Sequence, residues 1–80
     1  MQTDAIYSQL TAILREVFDD PALVARPDLA ADDVEDWDSL SHLRLITTVQ
    51  KAFGVKFSAG EIGRLNNVGD LAALIQAKAP

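Results

Sequence analysis

DWDSLSHLRL, residues 36–45, is where an acidic, proline-bearing segment gives way to apolar residues at helical spacing. Asp38 and Ser39 are both favoured helix N-caps, so a helix is expected to begin here. It should run from about Ser39 to Phe53 and stop at Gly54 in the C′ role. At 100° per residue, Leu43, Leu45, Ile46, Val49, Ala52 and Phe53 gather on one apolar face. Leu40 falls on the opposite side with Arg44, Thr47 and Lys51, which makes it an exposed leucine. His42 falls inside the apolar face, one turn above Ile46.

A second helix is expected upstream. Ile6, Leu10, Ile13, Leu14, Val17 and Phe18 form a stripe of period 3.6, with Thr3 or Asp4 as cap and Asp19-Asp20-Pro21 as terminator. Residues 19–38 then form a long connection with Pro21, Pro27 and six acids from Asp28 to Asp38. Loops of this length in small domains are usually functional. Leu23, Val24, Leu29 and Val34 are the residues expected to pin it. Downstream, Ser58 and Glu61 have capping-box spacing for a short element whose inward residues are Ile62 and Leu65. Asn67 should cap a last helix that buries Val68, Leu71, Ala72 and Ile75. No strand pattern competes. The expected fold is all-α: three main helices plus one short helix, in a single domain over residues 1–80.

The chain has 80 residues, 49% of them hydrophobic and 24% charged, the balance of a small folded domain. With no cysteine, any thiol chemistry must be brought in from outside. No apolar run approaches the ~20 residues of a membrane span, and no basic residue precedes Arg15, so no leader and a cytoplasmic protein are expected. The net charge of −5 is unevenly spread: ten acids against two bases in residues 1–38, two acids against five bases in residues 39–80. The acidic half would be repelled by phosphate backbones, which argues against nucleic acid. No EF-hand frame fits the acidic loop, and no metal site is expected.

Ser39 is the centre of the chemical reading. It could be only part of a helix cap. As a catalytic serine it lacks a Gly-x-Ser-x-Gly elbow, and the one histidine, His42, lies on the same short helix. As a modified serine it is well placed, since a helix N-terminus favours an attached phosphodiester. Asp38-Ser39-Leu40, after an amphipathic helix and an acidic loop, resembles the Asp-Ser-Leu motif of acyl carrier proteins. The resemblance extends over Val49-Gln50-Lys51-Ala52-Phe53-Gly54-Val55-Lys56-Phe57 and Asn67-Val68-Gly69-Asp70-Leu71, nearly the whole chain.

That resemblance implies a carrier rather than an enzyme, bearing 4′-phosphopantetheine from coenzyme A on Ser39. Asp38, Leu40, His42 and Trp37 would surround the attachment point. Leu43, Leu45, Ile46, Val49, Phe53, Leu65 and Leu71 would line an acyl pocket, and Leu40, Arg44, Thr47, Lys51 and Asp36 would meet partners. The implied partners are a phosphopantetheinyl transferase and the ligase, acyltransferase or synthase of a dedicated pathway, with the carrier acting as a monomer. A peptidyl carrier is a near alternative, although its usual Gly-Gly before the serine is missing. A helical adaptor without a prosthetic group is the alternative from another class. Trp37 would flank the prosthetic arm or pin the loop. His42 would be satisfied by a backbone carbonyl or water, or would reach the phosphodiester or cargo.

One departure from the family pattern has a consequence for partner choice. Residues 39–53 hold no acid; Ser41, Arg44, Gln50 and Lys51 stand where acids are common in housekeeping carriers. The acids lie instead in the loop, at Asp28, Asp32, Asp33, Glu35, Asp36 and Asp38. A partner shaped for an acidic helix meets Arg44 and Lys51 as repulsive, which acts mainly on association rate. A housekeeping malonyl transacylase should therefore load Arg44→Glu/Lys51→Glu faster than wild type, by roughly tenfold or more at low salt. Equal transfer rates would remove the charge argument.

Overall fold

The computed structural model describes residues 2–79, in the order α1 (Thr3–Val17), a 3₁₀ turn (Ala31–Asp33), α2 (Ser39–Phe53), α3 (Ala59–Gly63) and α4 (Val68–Lys78). Among the described residues there is no strand. The all-α fold of three main helices and one short one is as expected, and α2 has the expected bounds.

The core follows from three helical stripes. Ile6, Leu10, Ile13 and Leu14 of α1 are buried against Leu45, Ile46, Val49 and Phe53 of α2 and Val68, Leu71, Ala72 and Ile75 of α4. Helix α1 packs on both partners. Phe18, Ala25, Leu29 and Val34, together with Val55 and Phe57 after α2, close the remaining gaps. Burying a side chain of this size is worth about 1.5–3 kcal/mol, so a one-layer core depends on nearly all of them.

The helix ends show why the chain turns where it does. The residue before α1 is Gln2, which makes no side-chain cap bond; Thr3 is already helical and Asp4 lies in the first turn. The expectation of a Thr3 or Asp4 cap is thus corrected, and Asp4 acts on the helix dipole instead. At the other end, Asp19 adopts φ +49°, and the Asp20 N–H reaches back to the Arg15 carbonyl at 3.1 Å. This Schellman turn stops α1 before Pro21 has any part in it. Gly54 stops α2 in the same way at φ +66°, with Val55 N–H on the Gln50 carbonyl at 3.1 Å. The expected Ser58–Glu61 capping box is present, with Ser58 N–H to Glu61 Oε1 at 2.8 Å and Glu61 N–H to Ser58 Oγ at 3.2 Å. Lys78 Nζ holds Glu61 at 2.9 Å and so ties α3 to the end of α4.

The long connection is folded, not slack. Arg15 Nε donates to the Leu23 carbonyl at 2.7 Å, and Thr11 Oγ1 accepts the Ala25 N–H at 2.9 Å. Its descent then reaches the start of α4. Pro27 and Leu29 carbonyls accept the N–H groups of Gly69 and Val68 at 2.9 and 2.8 Å. Asn67 Oδ1 takes the Asp70 N–H at 2.8 Å, so the first three N–H groups of α4 all have partners. Val24, expected to pin the loop, is 51% exposed, and Ala25 is buried in its place. The Thr11 bond explains the exchange, because it turns the Ala25 backbone inward.

Gly69 permits this docking. A Cβ there would stand 2.8 Å from the Pro27 carbonyl oxygen and 3.2 Å from Pro27 Cα. Gly69→Ala should lower unfolding free energy by about 1–3 kcal/mol in urea titrations, because the obstacle is backbone. Gly63→Ala, which meets nothing within 4 Å, should leave stability unchanged or raise it by up to about 1 kcal/mol. Equal midpoints for wild type and Gly69→Ala would show that the loop does not need this close approach.

Candidate functional site

The loop delivers Trp37 and Asp38 to the start of α2. Asp38 is the cap residue: its extended backbone breaks the helix, and its Oδ1 accepts the Ser41 N–H at 2.9 Å. That bond to the backbone holds the Asp38 carboxyl below the usual carboxylate range. Ser39 is therefore the first helical residue and not the cap, and its side chain is left exposed. Leu40 is 69% exposed beside it.

Trp37 and His42 complete this end of the helix. The Trp37 ring rests on Phe18, with centroids 5.2 Å apart, which pins the loop to the end of α1. Its Nε1–H donates to His42 Nδ1 at 3.1 Å. The two rings lie 28° from parallel, with centroids 6.2 Å apart. Here the partner differs from the backbone carbonyl or water expected for His42. The indole is five residues earlier in sequence and outside the helix, so helical projection could not pair them. An indole N–H only donates, so Nδ1 must accept and the imidazole proton sits on Nε2.

Ala31, Trp37, Asp38, Ser39, His42 and Leu43 enclose an open depression of about 500 Å³. Its composition is mixed: apolar surface from Ala31, Leu43 and the indole, polar groups from Asp38, Ser39 and His42. A shallow site of this kind shelters part of a small group and leaves the rest in solvent.

The residues expected to line an interior pocket fall into three groups. Leu45, Ile46, Val49, Phe53 and Leu71 are buried in the core. Leu65 is half-buried and borders a depression with Glu61, Arg64 and Leu74 between α3 and α4. Leu43 is 56% exposed, which corrects its placement on the inward face. The four buried positions of α2 span an arc of about 100°, and Leu43 lies roughly 100° from the centre of that arc. Ala52 is exposed for the same reason. One layer of neighbours covers only a narrow stripe of α2, and Leu43 instead borders the depression beside Ser39. Arg44, Thr47, Lys51 and Asp36 are exposed, as a partner-facing set requires. Leu43, Arg44 and Thr47 share a second shallow depression with Thr48.

The chain as a whole is similar to known proteins. The family model for the phosphopantetheine attachment site matches residues 8–75. An acyl carrier protein of Acidothermus cellulolyticus is 30% identical over 70 residues, covering 88% of this chain and 83% of that protein. The solution structure of holo acyl carrier protein from Geobacter metallireducens superimposes with a TM-score of 0.86 at 44% identity, over 91% of this chain and 84% of that one.

The Asp38 bond can be tested by acid. Because its folded-state pKa lies below the unfolded one, the cap stabilises fully above the ordinary aspartate range. That contribution is lost as pH falls through the lowered folded-state value. Asp38→Ala should lower the urea midpoint at neutral pH and converge with wild type in acid, while Asp38→Asn should retain most of the cap. A deficit in Asp38→Ala of equal size at all pH values would contradict this.

Proposed function

Because the chain belongs to the acyl carrier protein family, whose prosthetic group is 4′-phosphopantetheine, we propose that Ser39 is the attachment serine and residues 1–80 a single carrier domain. The observation that carries the assignment is the position of Ser39: first residue of α2, exposed, and released from capping because Asp38 does that work. The depression beside it fits the group's near end, with polar atoms next to the serine and apolar surface at Leu43 and Trp37. In the attachment reaction, Ser39 Oγ forms a bond to a phosphorus of coenzyme A. The phosphoanhydride bond breaks, adenosine 3′,5′-bisphosphate leaves, and the hydroxyl proton passes to a base of the transferase. The group supplies the thiol that this cysteine-free chain lacks.

Members of the family work with a phosphopantetheinyl transferase and with enzymes that handle acyl groups. For this chain we assign the partners to a dedicated lipid, polyketide or related pathway. Support comes from α2, where Arg44, Thr47 and Lys51 are exposed and residues 39–53 contain no acid. Leu40 supplies the apolar contact, and Asp36 with the other loop acids offers a separate negative patch. The interior cluster of Leu45, Ile46, Val49, Phe53 and Leu71, with Leu65 packed against its edge, is assigned to the acyl chain. Val24, Leu40 and Leu43 are the large apolar side chains exposed among the described residues. Leu40 and Leu43, three apart on α2, make a patch too small for a permanent dimer interface, so we assign a monomer. No helix among the described residues is long and apolar enough to cross a membrane; a cytoplasmic site of action is part of the proposal.

Incubation with coenzyme A and a broad-specificity phosphopantetheinyl transferase should add the mass of one phosphopantetheine to wild type and nothing to Ser39→Ala. An adaptor without a prosthetic group would gain no mass, and modification of Ser39→Ala would place the attachment elsewhere.

A further inference from the structure

We propose that Trp37 and His42 form a hydrogen-bonded couple that presents an imidazole N–H donor to the phosphodiester at Ser39, with Trp37 as the positioning residue. The inference rests on the assignment of Ser39 as the attachment point and adds a binding contact to it.

The geometry begins with the helix. Ser39 and His42 are three residues apart on α2, where Cβ atoms lie about 5–6 Å from each other. Side chains on a helix lean toward its N-terminus, so the His42 side chain lies over the turn that holds Ser39. Both residues line the same depression.

The chemistry follows from the Trp37 bond. A neutral imidazole can carry its proton on either nitrogen, and only the protonated one can donate to a phosphate oxygen. Trp37 Nε1–H occupies Nδ1 at 3.1 Å, so Nε2 bears the proton. Trp37 is itself held by Phe18, 5.2 Å away, and by the loop behind it. The chain from Phe18 through Trp37 to His42 thus fixes both ring orientation and tautomer before any ligand arrives. Such an outer partner sets which imidazole nitrogen is available, as it does for histidines that bind metals. A phosphodiester oxygen accepts from a neutral N–H donor readily, and the bond is charge-assisted. No other side chain lining the depression offers a nitrogen donor with a fixed direction: Ala31 and Leu43 are apolar, Asp38 is an acceptor, and Trp37 has used its N–H.

Wild-type protein alone gives the first test, with no risk of misfolding. Loading is first confirmed by mass. The His42 imidazole ¹⁵N resonances and the ³¹P resonance are then recorded for the apo and holo forms. On loading, Nε2 should shift while Nδ1 keeps its acceptor signature and the Trp37 indole proton keeps its position. The holo ³¹P resonance should differ from that of a short phosphopantetheinylated serine peptide. In variants, His42→Leu should move the ³¹P resonance to the peptide value. His42→Gln, whose carboxamide can accept from Trp37 and still donate, should stay near wild type. Trp37→Phe should keep the Phe18 contact, mix the His42 tautomers and move the ³¹P resonance part of the way.

An Nε2 resonance unchanged by loading, or a wild-type ³¹P resonance equal to the peptide's, overturns the proposal while leaving Ser39 as the attachment point. Absence of any mass gain overturns both.

Discussion

Two loop carbonyls, those of Pro27 and Leu29, accept the first N–H groups of α4, and much of the architecture depends on that junction. A connection of some twenty residues with two prolines cannot supply its own ladder of backbone bonds. It must find donors elsewhere, or remain in solvent at a high cost in chain entropy. The start of α4 has N–H groups that need acceptors, so each segment answers the other's deficit. Once Leu29 is fixed and buried there, Val34 can enter the core and Trp37 can settle on Phe18. The start of α2, and with it the exposure of Ser39, thus depends on a junction distant in sequence.

The same economy governs the site. Asp38 takes the capping role, which leaves Ser39 a helical residue with a free hydroxyl. A serine at the cap itself would spend its oxygen on a backbone N–H and be a poorer acceptor for modification. Trp37 does two things at once, pinning the loop with its ring and holding His42 with its N–H. The proposed attachment point and the proposed partner face are then adjacent but separately built: the serine by the Asp38 cap, the partner face by the outward side of α2.

Much of this was legible in the sequence, for identifiable reasons. Helix α2 was readable at both ends because Asp38 and Gly54 act locally, through a cap and a left-handed turn. The stripe of α4 was equally plain, since Val68, Leu71, Ala72 and Ile75 follow one period. The misreadings fall where geometry is tertiary. Leu43 looked inward because periodicity gives the direction of a side chain but not the width of what covers it. Val24 and Ala25 were exchanged because the Thr11 bond, fourteen residues away, sets the backbone. The Trp37–His42 bond crosses from loop to helix, and no spacing rule anticipates it. For Gly69, the sequence marks a helix start but gives no sign that Pro27 lies against it.

The central claim is that Ser39 carries a phosphopantetheine arm through which this chain holds acyl groups. Intact-mass and peptide mass spectrometry on protein purified from its native source tests it most directly. One phosphopantetheine is expected on the peptide containing Ser39, part of it extended by an acyl group that hydroxylamine releases. Protein found wholly unmodified, or modified at another residue, would contradict it.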